Sequence, residues 1–440
     1  MEKQGTVMPV LTVVGAQWGD EGKGKIVDLL ADQAQYVVRY QGGANAGHEV
    51  VVDGRNYVLH LVPSGILHPG VLNVVGNGVV LDPDSFLAEV AGLRKRGIKT
   101  KGRLFISPRA HLTLPLHKAL DAAREGAAGQ TTIGSTKRGI SPTYMDKAGR
   151  VGIRLADVQD PAYCMEQLKT SLQEKNVLFK HLYKSKPLTA KVLWREIQHA
   201  AKDLLPYMAD TEGMLNAAVK GGKRVLMEGA QGSLLDVDFG TYPYVTASNS
   251  TAGGSATGSG LGPTRIGYVL GVCKAYTTRV GEGPFPSELD PQRNQALREL
   301  GGEYGRTTGR ARRCGWLDLV ALRYACQVNG LDGLAITKLD VLDGFDELEV
   351  CVAYRVGGRE IHHFPATSAE LAKAKPVTMK VKGWKSPTTG AKTFAKLPRL
   401  AQSYLKLVEK FTDVKVALVS VGAERSKTIT VDPKLKSWKF

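Results

Sequence analysis

The order of apolar and polar positions near the N-terminus predicts a strand, a glycine-rich turn and a helix. Residues 11–14 (LTVV) are continuously apolar, which is typical of a strand buried on both faces of a parallel sheet. The turn at 15–24 contains four glycines, and the apolar positions after it have helical spacing. A second apolar run, 36–38, ends in another glycine-rich turn at 42–48. This alternation of strands and helices indicates an α/β fold.

Further apolar runs extend the pattern along the chain. Strands are predicted at 71–76, 224–227, 266–275, 334–340 and 416–421, and a helix at 84–96. Residues 157–221 have a mostly helical pattern broken at Pro187 and Pro206, and we expect a helical subdomain packed on the sheet. The small-residue stretch 250–260 has the composition of a linker, but the strand that closely follows it favours an ordered loop.

The composition is that of a globular protein with a basic surface. The chain has 440 residues, 43% of them hydrophobic, and a net charge of +17. No apolar stretch is long enough to cross a membrane, and the first ten residues lack a signal-peptide core. The five cysteines show no CxxC spacing, which fits a reduced, cytoplasmic protein without structural zinc. A basic surface favours anionic partners, and nucleotides qualify as well as nucleic acid does.

The first glycine-rich turn, 15–24, has the chemistry of a phosphate site, and we call it the phosphate turn. Its glycines let backbone N–H groups approach an anion, a helix begins there, and Lys23 and Lys25 add positive charge. It is not a standard P-loop, because Ile26 stands where that motif has a metal-binding hydroxyl. Asp20 and Glu21 either cap the helix or take part in catalysis by holding Mg²⁺ or accepting a proton.

His48, at the end of the second turn, favours catalysis. An acid and a histidine at the carboxyl ends of two neighbouring strands are well placed to face one ligand. The turn at 228–232 also follows a predicted strand and occupies a common ligand position in open α/β sheets.

Four other segments carry candidate chemistry. Residues 306–313, the arginine loop, hold four arginines, which suit carboxylate and phosphate, although a solvated turn or an RNA contact has the same composition. The largely apolar residues 314–322 after it favour an active-site loop anchored by the core. The TKLD sequence at 337–340 is typical of guanine recognition, and the turn at 420–422 is small enough to close over a base. The polar loop 130–140 could bind phosphate, but its residues alone favour a mobile surface loop.

Several of these motifs, taken in order, resemble those of the adenylosuccinate synthetase family over roughly residues 13–430. They are GDEGKGK (19–25), GGxNAGH (42–48), EGAQG (228–232), TYPYVT (241–246), TTGR (307–310) and TKLD (337–340). The resemblance implies a single large α/β domain (1–440) around a mostly parallel central sheet with several active-site loops. It also implies a homodimer that uses GTP and one Mg²⁺ per subunit to join IMP and L-aspartate through a 6-phosphoryl-IMP intermediate.

The resemblance also implies roles for particular residues. Asp20 takes the N1 proton of IMP, His48 acts as an acid, Lys23 assists catalysis, and Asp20 and the Gly47 carbonyl hold Mg²⁺. Residues implied to contact IMP are Asn45, Thr136, Arg150, Gln231, Thr246 and Arg310, with Arg150 reaching the IMP of the other subunit. Those implied to bind aspartate are Arg306, Thr307, Thr308, Gly309, Arg310 and Arg312. Those implied to bind GTP are Gly19, Asp20, Glu21, Gly22, Lys23, Gly24, Lys25, Gly47, His48, Glu49, Arg312, Lys338, Leu339, Asp340, Ser420, Val421 and Gly422.

Departures from the family pattern leave alternatives open. Glu49 stands where threonine is usual, beside the GTP phosphates, so its carboxylate either turns away or adds a metal ligand. Together with the changes at Ser135, Lys137 and Ser141, it leaves open a variant ligase with a different purine nucleotide or phosphate donor. The net charge and TKLD leave open a non-catalytic GTP-binding or RNA-binding protein, against which Asp20 and His48 argue. We expect neither a membrane nor a nucleic acid as a partner.

Overall fold

A computed structural model describes residues 9–45, 47–52, 54–126, 136–305 and 309–438. Its strands are β1 (Val10–Gly15), β2 (Tyr36–Arg39), β3 (His48–Val52), β4 (Arg55–Leu59), β5 (Leu72–Val75), β6 (Val80–Leu81), β7 (Leu104–Ile106), β8 (His111–Leu112), β9 (Val225–Glu228), β10 (Tyr268–Lys274), β11 (Thr277–Arg279), β12 (Arg313–Gly315), β13 (Leu317–Asp318), β14 (Gly333–Thr337), β15 (Glu347–Val356), β16 (Arg359–Ile361), β17 (Lys375–Lys382), β18 (Val416–Ser420) and β19 (Thr428–Thr430). Its α-helices are α1 (Lys23–Ala31), α2 (Pro83–Lys95), α3 (Pro115–Glu125), α4 (Ile140–Gly149), α5 (Pro161–Val177), α6 (Ala190–Leu204), α7 (Thr211–Lys220), α8 (Gly253–Thr257), α9 (Pro291–Gly301), α10 (Leu319–Asn329), α11 (Ser368–Lys373), α12 (Arg399–Thr412) and α13 (Lys434–Ser437).

A central sheet organises the described part of the chain. Its nine strands follow the order β19-β18-β14-β10-β1-β9-β2-β5-β7, and only the pair β18–β19 is antiparallel. Every residue of the inner strands β1, β9, β10, β14 and β18 is buried, which explains their nearly continuous apolar sequences. The α/β fold with a mostly parallel central sheet is confirmed.

The strand order corrects one sequence-based expectation. Strand β9 pairs with β1 on one side and with β2 on the other, so the two glycine-rich turns do not follow neighbouring strands. The chain returns to the sheet at residue 225 and inserts β9 between them, and periodicity within each strand carries no information about such insertion. The turn at 228–232 therefore lies between the phosphate turn and the turn that ends at His48.

Local chemistry sets the limits of helix α2. The Asp82 side chain accepts the N–H of Ser85 at 3.4 Å, Pro83 occupies the first helical position, and Arg94 and Lys95 lie in the last turn. The predicted helix, 84–96, differs by one residue at each end. The difference at the start arises because proline needs no N–H partner at the first position of a helix.

The segment 157–221 consists of α5, α6 and α7, with Pro187 between α5 and α6 and Pro206 in a 3-10 turn after α6. Buried Leu168 of α5 and Leu193 of α6 belong to the same apolar cluster as residues of α2. The limits of this helical subdomain, and the single-domain description of the whole chain, stay predictions. The stretch 250–260 contains α8 and is ordered, with Ser250 and Ser255 buried.

A second, smaller sheet lies in the C-terminal part of the described chain. Strand β15 is its centre and pairs with β13, β16 and β17. Helix α10 packs on β15 and on α12, which joins this layer to the central sheet through β18. Within the described ranges, no helix is long and apolar enough to cross a membrane.

Candidate active site

The phosphate turn is built around the buried carboxylate of Glu21. Its Oε1 accepts the backbone N–H groups of Gln17 at 3.1 Å and Gly19 at 2.9 Å, and its Oε2 lies 2.5 Å from Lys23 Nζ. Helix α1 is capped by Gly22, in a left-handed conformation with φ of 87°, and has no side-chain cap. The interpretation of the two acids as helix caps is therefore wrong, because Glu21 folds back into the turn and holds it in shape.

Two glycines allow other loops to pack against this turn. A Cβ atom on Gly15 would lie 2.6 Å from the carbonyl oxygen of Gln231, and one on Gly24 would lie 2.5 Å from that of Glu49. Both distances are shorter than a carbon–oxygen contact allows. The turn at 228–232 and the hairpin of β3 and β4 thus lie directly on the phosphate turn, as a shared ligand site requires.

Asp20 projects from the phosphate turn towards the arginine loop. It has a φ of 58°, its side chain is 40% exposed, and its Oδ2 accepts the Nε–H of Arg312 at 2.7 Å. The second carboxylate oxygen has no partner in the described part of the chain. The structure thus joins the phosphate turn to the arginine loop through two residues that are 292 positions apart along the chain.

His48 is oriented by Glu228, the last residue of β9. His48 Nδ1 contacts Glu228 Oε1, and the same carboxylate accepts the N–H and hydroxyl of Ser64 at 2.8 and 2.9 Å. Burial lowers the pKa of His48, as does the nearby Arg39, whereas Glu228 opposes them. Burial raises the pKa of Glu228, but His48 and Arg39 outweigh it and lower that pKa. An ionised Glu228 therefore faces a neutral His48 whose proton lies on Nδ1.

Three buried polar atoms near these loops lack a partner among the described residues. They are His48 Nε2, Gln231 Oε1 and Thr246 Oγ1. The amide nitrogen of Gln231 donates to Asn45 Oδ1 at 3.4 Å, which joins the 228–232 turn to the 42–48 turn. A buried polar atom without a hydrogen bond costs free energy. The three unpartnered atoms therefore indicate a place where a polar ligand binds.

The predicted guanine site is assembled from the ends of β14 and β18. Lys338 has a φ of 58°, and its Nζ donates to the carbonyl of Gly301 at 2.6 Å. Burial raises the pKa of the half-buried Asp340. The side chains of Leu339 and Val421 are buried in the core, so only their backbone groups are placed to meet a ligand.

Lys25 ties helix α1 to the turn at 420–422. Its Nζ donates to Ser420 Oγ at 2.7 Å and to the Gly422 carbonyl at 2.8 Å. Burial is the largest influence on this side chain and lowers the pKa of Lys25 to about 8. The residue connects the predicted phosphate and base sites, and it reaches the 420–422 turn instead of standing over the phosphate turn.

Glu49 turns towards its own hairpin. Its Oε1 accepts the amide N–H of Asn56 at 2.5 Å across the β3–β4 pair. Of the two possibilities left open by the sequence, this contact corresponds to a carboxylate that turns away from the phosphates.

The remaining predicted site residues lie on exposed segments. Thr136 and Arg310 are exposed, and Arg150 is exposed in a left-handed conformation, with φ of 62°, at the end of α4. The backbone N–H of Gly309 donates to the Gly305 carbonyl at 2.7 Å. Arg306, Thr307 and Thr308 lie outside the described residues, as do Ser135 and most of the 130–140 loop, and the predictions for them are not tested by the structure.

Sequence analysis missed two buried glutamates that support the site. It assigned no role to Glu228, although the turn that begins there was identified as a ligand position. Glu303, which contacts Arg312 Nη1 and Lys274 Nζ at 2.7 Å each, was not identified at all. Both side chains are 0% exposed, and their contacts form only in the folded chain. In the sequence, each could have been noticed only as an acidic residue next to a motif.

The residues fit a divalent cation that is completed by substrate. The described chain contains no cluster of three His, Cys, Asp or Glu side chains able to hold a metal by themselves. Asp20 keeps one free carboxylate oxygen beside the phosphate turn, and Mg²⁺ in nucleotide sites typically takes one or two carboxylates plus phosphate oxygens and water. A site that forms only with bound nucleotide is consistent with this arrangement.

Comparison with known proteins identifies the family. The sequence model of the family described as adenylosuccinate synthetase matches residues 12–429. The adenylosuccinate synthetase of Desulforamulus reducens is 51% identical over 425 residues, which cover 97% of this chain and 99% of that protein. The adenylosuccinate synthetase of Salinibacter ruber is 52% identical over 431 residues, which cover 96% and 98% of the two chains.

Solved structures agree with the sequence comparison. The fully ligated adenylosuccinate synthetase of Plasmodium falciparum superposes with a TM-score of 0.88 at 36% identity, covering 96% of this chain and 100% of that one. A succinoaminodeoxyadenylate synthetase of cyanophage S-2L, at 20% identity and a TM-score of 0.61, shares the fold. The family is one of ligases that form a carbon–nitrogen bond and use a metal ion. The chain belongs to the adenylosuccinate synthetase family.

Proposed function

We propose that this protein catalyses the GTP-dependent ligation of IMP and L-aspartate to adenylosuccinate, with release of GDP and phosphate. The observation that carries the proposal is the meeting of Asp20 and a Glu228-oriented His48 around one phosphate turn at the carboxyl edge of the sheet. Family membership supports the identity of the substrates. The geometry supports the chemistry, because a candidate base and a candidate acid lie beside a phosphate-binding turn.

In the first step, Asp20 accepts the N1 proton of IMP, which places negative charge on O6. That oxygen attacks the γ-phosphorus of GTP, a P–O bond forms, and the bond to the GDP oxygen breaks. His48 is held by Glu228 through Nδ1, and the phosphate charge of the bound nucleotide favours uptake of a proton from water at Nε2. The protonated ring then acts as the acid and donates from Nε2 to the transferring phosphoryl group. Lys23 neutralises charge on the same group from the start of α1.

A metal ion completes the phosphate site. Asp20 and the Gly47 carbonyl would hold one Mg²⁺ per subunit together with nucleotide oxygens. Bound there, the ion supplies neutralisation of phosphate charge during transfer.

In the second step, the amine of aspartate attacks C6 of the phosphorylated IMP, a C–N bond forms, and the C6–O bond breaks as phosphate leaves with that oxygen. The attacking nitrogen then loses a proton to solvent. The arginine loop binds the two carboxylates of aspartate, with Arg310 and Arg312 presenting planar guanidinium groups suited to bidentate pairing. Asp340 accepts hydrogen bonds from guanine N1–H and the 2-amine, and the Lys338 stem packs along the base. These contacts discriminate against adenine, which has no donors at those positions.

Each site is completed by a second copy of the chain. Arg150 is exposed at the end of α4, where its guanidinium is available to a neighbouring subunit. In a homodimer it would bind the IMP phosphate of the other subunit, while Asn45, Gln231 and Thr246 bind IMP within the same subunit. We also propose that the enzyme acts in the cytoplasm.

Phosphate release from GTP, measured with Mg²⁺ while IMP and aspartate are omitted in turn, tests the proposal. We expect release only when both are present, in parallel with the ultraviolet change that accompanies adenylosuccinate formation. Release that depends on another purine monophosphate would identify a variant ligase, and GTP binding with no release under any combination would identify a non-catalytic binding protein. Either result would contradict the proposal.

A further inference from the structure

One buried carboxylate outside the predicted site lies next to two of its cationic side chains. Glu303 follows α9 and is fully buried. Its Oε2 lies 2.7 Å from Arg312 Nη1 and 2.7 Å from Lys274 Nζ, and its Oε1 accepts the hydroxyl of Tyr276 at 2.5 Å. Lys338 Nζ lies 4.0 Å from the same Oε1. Two predicted ligand-binding cations therefore share one acid.

The backbone around Glu303 strengthens both connections. The carbonyl of Gly301 accepts Lys338 Nζ at 2.6 Å, and the carbonyl of Glu303 accepts the N–H of Arg312 at 2.9 Å. Residues 301–303 thus hold the guanine-site lysine with one end and the arginine loop with the other. Because Arg312 also donates to Asp20 at 2.7 Å, a continuous chain of contacts runs from Lys338 to the predicted base.

The charges in this cluster require Glu303 to be ionised. Burial raises the pKa of Glu303, but Lys274, Lys338 and Arg312 outweigh it and lower that pKa to about 2. Lys274 is itself 1% exposed; its Nζ pairs with Glu303 and donates to the Thr278 hydroxyl, and Asp20 also attracts its charge. Such a buried pair is costly to desolvate and is weak evidence for stability alone, so its arrangement calls for another explanation.

We propose that Glu303 is a positioning residue that holds Arg312 and Lys338 in fixed relation to Asp20 and so couples guanine binding to the aspartate-binding arginine loop. This inference rests on the proposed function for the identity of the ligands. The coupling follows from the geometry, because Lys338 and Arg312 share the Glu303 carboxylate. A guanine base that shifts Lys338 changes the charge next to Glu303 and therefore the strength with which Glu303 holds Arg312.

The test uses two variants of the full-length protein. Glu303→Gln removes the charge but leaves Lys274 buried and unpaired, so folding itself can fail. The double variant Glu303→Gln with Lys274→Met removes both charges and keeps an acceptor for Tyr276. Asp318→Asn is the matched control, because Asp318 is a buried carboxylate held by the Tyr354 hydroxyl at 2.7 Å in the second sheet.

We expect the folded double variant to show a KM for GTP and a KM for aspartate that are each raised about tenfold. A change of this size corresponds to the loss of one charge-assisted hydrogen bond. The KM for IMP should change less than about twofold, since among the described contacts of the Glu303 side chain none is to Asn45, Gln231 or Thr246. The Asp318→Asn control should melt at a lower temperature with all three KM values unchanged. Calorimetry should show that aspartate alters the affinity for GDP in the wild type but not in the double variant.

Unchanged KM values for GTP and aspartate in a folded double variant would overturn the inference. So would an equal rise in all three KM values, which a general loosening of the fold produces. If the wild type released no phosphate, the proposed function would fail instead, and the GDP titrations with and without aspartate would still decide the role of Glu303.

Discussion

At the scale of single residues, buried glutamates orient the basic side chains of the predicted site. Glu21, Glu228 and Glu303 are each 0% exposed, and they hold Lys23, His48 and Arg312 respectively. An acid that contacts a basic side chain from behind fixes the direction of the nitrogen that faces the ligand. Asp20 differs from all three because its carboxylate is 40% exposed and therefore available to a substrate.

Asp20→Asn should abolish turnover while nucleotide binding persists. The amide cannot accept the N1 proton of IMP, and loss of a positioned base typically lowers kcat by at least about 100-fold. The phosphate turn keeps its shape because Glu21, not Asp20, accepts its N–H groups. Steady-state phosphate release and GDP titration would measure both properties. A variant with kcat within about threefold of wild type would refute the role of Asp20 as base.

At the scale of elements, close contacts and tethers hold the loops against one another. The β3–β4 hairpin approaches α1 so closely that Gly24 leaves no room for a side chain against Glu49. Lys25, next along α1, reaches the turn after β18, and Glu89 of α2 accepts the N–H groups of His60, Leu61 and Val62 after β4. The helices thus fix where each loop stands over the sheet.

Gly24→Ala should displace the hairpin and with it His48. A methyl group 2.5 Å from the Glu49 carbonyl cannot be accommodated without backbone movement. We expect the free energy of unfolding to fall by about 1–3 kcal/mol and kcat to fall about tenfold, as overpacking and misplacement of a catalytic group predict. Urea unfolding and turnover would measure these changes.

The matched control for that prediction is Gly92→Ala. Gly92 lies inside α2 with nothing within 4 Å of its added Cβ, so alanine there should stabilise the protein by about 0.5–1 kcal/mol and leave turnover unchanged. Equal effects of the two substitutions would show that the contact between Gly24 and Glu49 is unimportant.

Glu89→Gln should remove a pH dependence of stability. Burial raises the pKa of Glu89 to about 7, against backbone N–H groups that lower it. The unfolded state loses this proton near pH 4.3, so between about pH 4.5 and 7 the folded wild type binds more protons. The free energy of unfolding of the wild type should therefore fall relative to the variant by up to about 1.4 kcal/mol per pH unit as pH rises through that window.

Urea unfolding of both proteins at pH 5 and pH 7.5 would check this prediction. Because every other titratable group is common to both proteins, the difference between them isolates Glu89. A difference in stability that is the same at the two pH values would mean that the Glu89 pKa is not raised in the folded state.

At the scale of the whole molecule, the sheet collects the predicted site at one edge. The phosphate turn and the turns at 228–232 and 42–48 follow β1, β9 and β2, which are consecutive in the sheet, and the guanine loops follow β14 and β18 two and three places away. Arg150 lies apart from these turns in the chain, at the end of α4, and is exposed. In the function proposed above, this arginine would bind the IMP phosphate of a second subunit.

Mixed dimers test this arrangement. Arg150→Leu and Asp20→Asn should each be inactive as homodimers at low IMP. In a dimer of one subunit of each kind, the Arg150→Leu subunit keeps Asp20 and receives Arg150 from its partner. Random assortment of equal amounts should restore about a quarter of wild-type turnover if subunits exchange freely. Exchange verified by tagged subunits, with no recovery of turnover, would argue against a shared site.

Much of the fold class and of the loop chemistry could be predicted from the sequence. The mostly parallel sheet, the helix close to 84–96 and the ordered 250–260 segment follow from periodicity, glycine content and spacing, which are local properties. Of the two alternatives for Asp20 and Glu21, helix capping was wrong, and the placement of β1 and β2 as neighbours was wrong as well. Domain limits, the Arg150 contact and the cytoplasmic location stay predictions.

The sequence by itself determined which chemistry each loop can perform, because glycine, lysine and acidic residues act through properties that they carry within a few positions. Only the tertiary structure decided which groups meet. The pairs His48–Glu228 and Asp20–Arg312 are separated by 180 and 292 positions, and they form because β9 inserts between β1 and β2 and because the arginine loop folds back onto the phosphate turn. Strand order depends on packing summed over the whole chain, and no local pattern encodes it.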